Sequence, residues 1–303
     1  MTRAQRSYFI GGILICLLGA ICFSTKAIFV KLAYRDTGIE AVPLLALRMI
    51  FALPFFFISA VYASRKTDNI KFTASQWFYV AIIGCLGYYV SSLLDFIGLQ
   101  YVSAGIERLI LFIYPTMVLL LSSLVFKVRV KPYQWFAVVI TYFGLLLAFY
   151  GETRFEGTYS NNFYFGAALI FGCAITYAIY LVGSGKIIPV VGAAKFNSYA
   201  MSFACLAVLL HYFLTSDQSL FAFTPLVYLF TFCMALFSTV IPSYLISEGI
   251  RRIGSENASI VGSVGPVSTI IQANIFLYEP IFALQIAGTV LILIGVWFIS
   301  QKY

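Results

Sequence analysis

The chain has 303 residues, of which 62% are hydrophobic and only 10% are charged, and its mean hydropathy is +0.97. An ordinary soluble domain has about 25% charged residues, so this composition excludes one and indicates an integral membrane protein. The formal net charge of +8 does not indicate nucleic-acid binding, because the basic residues are scattered over short segments and form no stripe.

Ten apolar segments are long enough to be membrane-spanning helices, which need about 20 residues each. They lie at about 8–31, 41–63, 75–99, 102–126, 132–151, 163–186, 193–215, 224–249, 255–277 and 280–300. The third and fourth are separated only by a short turn near Tyr101–Ser103. The first has no small-residue cleavage site and is therefore predicted to be a span, not a signal peptide. The six cysteines all lie within apolar runs and are predicted to be core residues, not disulfides or metal ligands.

The lysine and arginine residues predict the orientation. If the N-terminus is cytoplasmic, thirteen of them fall in cytoplasmic segments, three in outer segments and three within spans. This alternation supports ten spans, with both termini on the cytoplasmic side of a cell (inner) membrane. The net charge is then explained by topology, with a weak attraction to anionic membrane lipid.

An internal repeat is indicated by four residues that recur 151 positions later without a gap. The pairs are Gly98 and Gly249, Pro115 and Pro266, Gln134 and Gln285, and Gly144 and Gly295. Each half then holds five spans, and because five is odd the second half enters from the opposite face. The pattern is typical of the inverted-topology repeats of secondary transporters, whose solute sites lie between the halves. An unrelated ten-helix bundle is the alternative.

Several segments resemble the EamA-like transporters of the drug/metabolite transporter (DMT) superfamily. They are Gly98-Leu-Gln-Tyr-Val-Ser-Ala-Gly-Ile-Glu-Arg with Tyr114-Pro115, Ala46-Leu47-Arg48, Gly265-Pro266, Tyr278-Glu279-Pro280, and Gln285 with Gly288 and Gly295. One departure is that Val128 stands in the first half where the family often has an acidic residue, as Glu279 stands in the second.

The resemblance implies an all-α membrane protein of ten helices in two inverted five-helix repeats, at 1–151 and 152–303, around a central cavity. Spans five and ten would be peripheral. It further implies export of an amino-acid-like solute by alternating access.

Five charged residues lie inside predicted spans, where a charge is unfavourable unless it is paired or faces water. They are Lys26, Arg48, Asp95, Glu107 and Arg108, all in the first half and all placed by helix rise in the outer part of their spans. Three cations and two carboxylates leave one positive charge over. They form either a salt-bridge network between spans or a site for solute charges or protons.

For Arg48, near the start of its span, bonding to carbonyls or headgroups is the favoured interpretation, and Lys26 either reaches outward or faces the cavity. Glu107 and Arg108 are about 100° apart on a helix, so one is expected to face the cavity and the other a neighbouring helix. Asp95 is the strongest functional candidate.

Neighbouring polar residues extend the predicted site. Asp95 shares a helical face with Tyr88 and with Ser91 or Ser92. Tyr114 shares a face with Glu107. Tyr177 and Tyr180 lie one turn apart on span six, and tyrosines can stack on a solute while donating hydrogen bonds.

The second half offers hydroxyl groups at four-residue spacing. These are Thr239, Ser243 and Ser247 on span eight, and Ser255, Ser259 and Ser263 on span nine. They either allow close helix packing with hydrogen bonds between helices or form a polar cavity wall, with Ser243 and Ser263 the candidates.

Pro115 and Pro266 are predicted to lie within spans four and nine, each producing a mid-helix kink. The two matched kinks are candidate hinges for alternating access; static kinks are the alternative.

The predicted function is secondary transport of a small polar or zwitterionic metabolite, with coupling to protons left open. A lipid or hydrophobic-drug translocator is the second hypothesis. An enzyme is not expected, because the chain has a single histidine, His211, and neither an HExxH nor a GxSxG motif. No GxxxxGK[ST] loop, cofactor site or metal site is expected. The protein is predicted to be a monomer or a homodimer.

Overall fold

The computed structural model describes residues 3–65, 70–127, 129, 131–153, 161–262, 264–278, 281 and 283–301. Of the positions singled out above, Ser263, Val128, Glu279 and Pro280 lie outside the described residues. Within them the fold is all helical, and its elements in chain order are α1 (Arg3–Thr37), α2 (Ala41–Arg65), α3 (Ala74–Gly84), π1 (Cys85–Val90), α4 (Ser91–Gly98), α5 (Ala104–Leu111), α6 (Tyr114–Phe126), α7 (Pro132–Thr153), α8 (Asn161–Val191), α9 (Ala193–Thr215), α10 (Pro225–Ala235), π2 (Leu236–Val240), α11 (Ile241–Val261), α12 (Val264–Leu277) and α13 (Ala283–Gln301). The π elements are short π-helices within longer helical runs.

Six of the described helical runs are long and apolar enough to cross a membrane. They are Gln5–Thr37, Ala41–Arg65, Ala74–Gly98, Asn162–Val191, Ala193–Thr215 and Pro225–Val261. Shorter apolar helices lie at Tyr114–Val125, Val264–Leu277 and Ile286–Gly295. Many large apolar side chains on these helices are exposed, as expected for a surface that faces lipid.

The prediction of one continuous helix over 102–126 is wrong. The helix ends at Leu111 and a new one begins at Tyr114, so the segment is α5 and α6. A comparable break separates α11, which ends at Val261, from α12, which begins at Val264. Pro115 and Pro266 therefore lie in the first turns of α6 and α12, directly after the interruptions, where the missing N–H is tolerated.

The two π-helices were not foreseen from the sequence. Each inserts an extra residue into a helical turn, and such insertions occur frequently at functional sites. Leu236, where π2 begins, follows Cys85, where π1 begins, by 151 residues, and Pro225 of α10 follows Ala74 of α3 by the same interval. Corresponding elements of the two halves thus start at the spacing of the sequence repeat.

Helices of the first half pack mainly on helices of the second. α1 lies against α11 and α12, α2 against α9 and α10, and α4 against α8. The chain turns between predicted spans eight and nine at Gly254 within α11, where a φ of 81° favours glycine. The core is therefore shared between the halves.

α7 and α13 pack chiefly against each other. The close contact depends on glycine, because a Cβ added at Gly144 would lie 2.5 Å from the carbonyl oxygen of Gly288. Backbones of membrane helices approach this closely only where small residues face each other.

Gly144→Leu is therefore expected to separate α7 from α13 and to destabilise the protein by about 1–3 kcal/mol through overpacking. The measurement is the midpoint of thermal unfolding of the purified protein in detergent. Val139→Leu, on an exposed position of the same helix, is the matched control. An unchanged midpoint for Gly144→Leu would contradict this account of the contact.

Candidate functional site

A cavity of about 60 Å³ lies where both halves of the chain meet. One water molecule needs about 10–15 Å³ of such space, so the cavity holds only a few waters or a small solute group. Its wall comes from α1, π1, α4, α5, α6, α8, α11 and α12 and from the turn between α5 and α6, and its lining residues are Cys16, Ala20, Phe23, Lys26, Gly87, Ser91, Ser92, Arg108, Leu111, Phe112, Tyr114, Cys173, Tyr177, Leu181, Ile246, Ala258, Ser259, Gly262, Gly265 and Pro266.

Four of the five predicted intramembrane charges form one connected network beside this cavity. Lys26 Nζ lies 2.7 Å from Asp95 Oδ2 and 3.5 Å from Glu107 Oε1. Arg108 Nε lies 3.0 Å from Glu107 Oε2. All four residues are at least 94% buried, and both carboxylates are fully buried. Removing one partner of such a network would leave a buried charge uncompensated, at a typical cost of about 3–5 kcal/mol.

The network is polarised toward the cavity. Lys26 and Arg108 line the cavity wall. Asp95 and Glu107 are not among the lining residues and pair with these cations within the protein. The interpretation that Lys26 reaches outward is therefore wrong. As expected for Glu107 and Arg108, one faces the cavity and the other a neighbouring helix, since Arg108 lines the cavity and Glu107 reaches Lys26 of α1. The two side chains also form an ion pair.

Arg48 does not join this network, and the interpretation that it bonds carbonyls or headgroups is wrong. Its side chain is fully buried, and Nε donates a 2.6 Å hydrogen bond to Oγ1 of Thr239 in π2. The guanidinium lies over the ring of Phe96, with Cζ 5.3 Å from the centroid. Nη1 and Nη2 have no hydrogen-bond partner among the described residues. Arg48 thus connects α2 with the second half of the chain.

Aromatic rings form much of the remaining cavity wall. Tyr177 stacks on Phe23 with ring centroids 6.1 Å apart and meets Tyr114 edge-on at 5.4 Å. Phe112 lies next to Tyr114, with centroids 6.3 Å apart. The cavity therefore combines two cationic groups with aromatic faces, which can pack on a solute or attract a cation.

Tyr88, Tyr180 and Ser243, which were also predicted for the site, are not among the lining residues. Tyr88 is fully buried in π1 and packs edge-on against Tyr180, with ring centroids 4.9 Å apart. Because π1 changes the helical spacing, the predicted common face of Tyr88 and Asp95 does not place Tyr88 on the wall, although Ser91 and Ser92 are there. Ser243 accepts a 3.0 Å hydrogen bond from the amide of Asn197.

Residues at corresponding positions of the two halves line the same cavity. Lys26 and Tyr177 are 151 residues apart, as are Arg108 and Ser259, Leu111 and Gly262, and Tyr114 and Gly265. The chemistry of the pairs differs, because the cations of the first half correspond to hydroxyl groups in the second. The cavity is thus built from equivalent positions but carries charge on one side only.

The helix break between α11 and α12 is held by side chains of the first half. Tyr114 Oη donates a 3.1 Å hydrogen bond to the Ser259 carbonyl, and Ser24 Oγ donates one of 3.0 Å to the Gly265 carbonyl. Gly262 makes the first contact possible, since a Cβ there would lie 2.1 Å from Tyr114 Oη. The predicted common face of Tyr114 and Glu107 is not formed as a helical face, because the chain breaks between α5 and α6.

The comparisons with known proteins agree with this arrangement. The model of the EamA-like transporter family matches the chain at residues 10–150 and again at 164–301. The chain belongs to the EamA-like transporter family. The protein is therefore a multi-pass membrane protein of a transporter family, and family and relatives indicate a transporter, not an enzyme.

Individual relatives and a solved structure support the assignment. The chain is 33% identical to the uncharacterized transporter YcbK of Bacillus subtilis over 282 residues, covering 91% of this chain and 88% of YcbK. It is 22% identical to an uncharacterized transporter of Clostridium kluyveri, covering 94% and 91%. A solved crystal structure superposes with a TM-score of 0.76 at 14% identity, covering 96% of this chain and 97% of the other, which shows a shared fold.

Gly262→Ala is expected to push Tyr114 off the Ser259 carbonyl and to lower stability by about 1–3 kcal/mol. Tyr114→Phe removes only the hydroxyl group and is expected to lower it by about 1 kcal/mol. Because the clash needs that hydroxyl, the double variant should be less destabilised than the sum of the single variants. Thermal unfolding in detergent measures the stability of all three variants. If the loss of stability in the double variant equals the sum of the two single losses, the two residues do not interact.

Proposed function

We propose that this protein is a secondary transporter that exports a small polar or zwitterionic metabolite, of an amino-acid-like kind, by alternating access. The observation that carries the proposal is the cavity between the halves, with Lys26 and Arg108 on one wall and aromatic rings around it. A carboxylate can bind the cations, and the rings of Tyr114 and Tyr177 can accept an ammonium group. Charged groups on the wall also favour a polar solute over a lipid or hydrophobic drug.

The proposed architecture is ten membrane helices in two inverted repeats, 1–151 and 152–303, with both termini cytoplasmic in the cell (inner) membrane. The double match to the family model and the 151-residue spacing of π1 and π2 support it. Inverted repeats can exchange conformations, so that each half adopts in turn the arrangement of the other. A site on the axis between them then opens first to one side and then to the other.

The breaks before Pro115 and Pro266 are the proposed hinges. Both adjoin the cavity, through Leu111 and Phe112 in one half and Gly262 in the other. A helix break permits rotation of one segment against the next with little loss of backbone hydrogen bonding, because its ends are already separate. Movement at the breaks would change the cavity directly.

Cells that overproduce the protein are expected to accumulate a small carboxylate-containing metabolite in the medium, compared with cells carrying empty vector. Arg108→Gln should reduce this release by at least about tenfold, because a buried charged partner of the solute is lost. Arg35→Gln, which alters an exposed arginine paired with Asp36, is the matched control. Untargeted mass spectrometry of the medium, at equal protein level, is the measurement.

Release by Arg108→Gln at the wild-type level would remove the cavity from the transport path. Transport of the solute from the outer to the cytoplasmic face of the membrane, and not in the opposite direction, would refute the export direction. Movement of labelled lipid without any polar solute would refute the proposed solute class.

Pro115→Ala and Pro266→Ala are each expected to slow transport by roughly tenfold, equivalent to about 1.4 kcal/mol on the barrier, with solute affinity unchanged. Restoring the N–H extends the helix into the break and stiffens it. Pro54→Ala is the matched control, since Pro54 is exposed within the unbroken helix α2. Wild-type rates in reconstituted vesicles for both hinge variants would exclude the hinge hypothesis.

A further inference from the structure

We infer that the solute carries one net negative charge on a carboxylate, and that its binding to Lys26 and Arg108 transfers Asp95 from Lys26 to Arg48. The inference rests on the proposed function and goes further, because it selects an anion over a zwitterion and gives Arg48 a part in binding.

The first step is the charge count. Five ionisable side chains of the predicted spans are each at least 94% buried, and they are Lys26, Arg48, Asp95, Glu107 and Arg108. With all five ionised, three are cationic and two anionic, so the set carries one excess positive charge. An uncompensated charge is costly in a region of low dielectric constant, and one bound monoanion neutralises the set. A zwitterion adds no net charge and leaves the excess in place.

The excess positive charge can be assigned to one residue. Lys26, Asp95, Glu107 and Arg108 pair with one another, so the unpaired charge is that of Arg48. Its only hydrogen bond among the described residues is from Nε to neutral Thr239, which leaves Nη1 and Nη2 unpartnered. A guanidinium with two free parallel donors is suited to a carboxylate.

The third step is that Asp95 can serve both cations. It forms the shorter of the two contacts that Lys26 makes with a carboxylate. Phe96, the next residue in α4, packs against the guanidinium of Arg48. Asp95 therefore pairs with Lys26, on the cavity wall, and directly precedes the residue that contacts Arg48.

The exchange then follows from competition. Only Lys26 and Arg108 face the cavity, and both are engaged by internal carboxylates. An entering carboxylate must replace an internal carboxylate in one of these ion pairs. When it replaces Asp95 on Lys26, the released Asp95 pairs with the free Nη atoms of Arg48. All six charges are paired in the result, including that of the solute. Because Arg48 also bonds Thr239 in π2, the exchange connects solute binding to a contact between the halves.

The test uses the purified full-length protein in detergent and three probes of one size: lactate, its neutral amide lactamide, and zwitterionic alanine. Dissociation constants come from ligand-dependent thermal stabilisation, with unliganded melting curves verifying the fold of each variant. Lactate is expected to bind most tightly, alanine more weakly, and lactamide not measurably.

Two variants are expected to change lactate binding in opposite directions. Asp95→Asn removes the internal competitor and should tighten lactate binding by about fivefold or more. Arg48→Gln removes both the excess charge and the new partner of Asp95, and should weaken it by about fivefold or more. Arg48→Lys should restore part of the affinity. Lys195→Gln, which removes a buried positive charge outside the cavity lining, should leave it unchanged.

If these residues had a purely structural role, Asp95→Asn and Arg48→Gln would change the affinity for lactate in the same direction. That result overturns the inference. Equal binding of lactate and lactamide, tighter binding of alanine than of lactate, or no binding of any probe at saturating concentration also overturns it. Transport by reconstituted vesicles distinguishes the two proposals. Flux of a solute without a carboxylate would sustain a transporter and refute this inference, whereas absence of all solute flux would refute the proposed function itself.

Discussion

The arrangement around the cavity depends on the need to balance buried charge. Asp95 and Glu107 are fully buried, and Lys26 from another helix contacts both, while Arg108 of the same helix also pairs with Glu107. Lys26 comes from α1, whereas Asp95 lies on α4 and Glu107 on α5. The network therefore fixes three helices of the first half against one another. Its second consequence is directional, because the carboxylates occupy the protein side and leave the cations on the cavity side.

The two halves use equivalent positions for different purposes. Tyr177 stands where Lys26 stands in the first half, and Ser259 stands where Arg108 stands. A cavity with charge on both walls would place like charges close together in a region of low dielectric constant. Concentrating the ions in one half and hydroxyl or aromatic groups in the other avoids that repulsion. The wall without charge can then contact the rest of a solute.

Much of the fold follows from the sequence because membrane helices obey a few strong constraints. Apolar length and loop charge predict helices such as α9, which begins and ends where the pattern indicates, at Ala193 and Thr215. The helix ends at Leu111 and Val261 do not follow from the sequence, since a proline alone does not reveal whether a helix bends or restarts. The π-helices were missed because one extra residue in a turn leaves hydrophobic periodicity almost unchanged.

For the site, the sequence indicates which residues matter but not how they are partnered. Burial of a charge within a membrane span is unfavourable, and this alone marks Lys26, Asp95, Glu107 and Arg108 as candidate site residues. The contact of Arg48 with Thr239 joins positions 191 residues apart, and only the tertiary structure can supply it. The role of Gly262 is likewise invisible in the sequence, because it depends on the position of Tyr114 Oη.

The hydrogen bond from Tyr114 to the Ser259 carbonyl joins the two helix breaks to each other. Tyr114 begins α6 directly after the first break, and Ser259 lies in the last turn before the second. The two breaks are thus in contact across the cavity, and a rotation at either one must change the position of the other or rupture this bond. Because Tyr114 also lines the cavity, a solute in contact with its ring would touch the side chain that joins the two breaks. The same side chain therefore contacts the cavity and holds the junction between the halves, which is the coupling that the proposed alternating access requires.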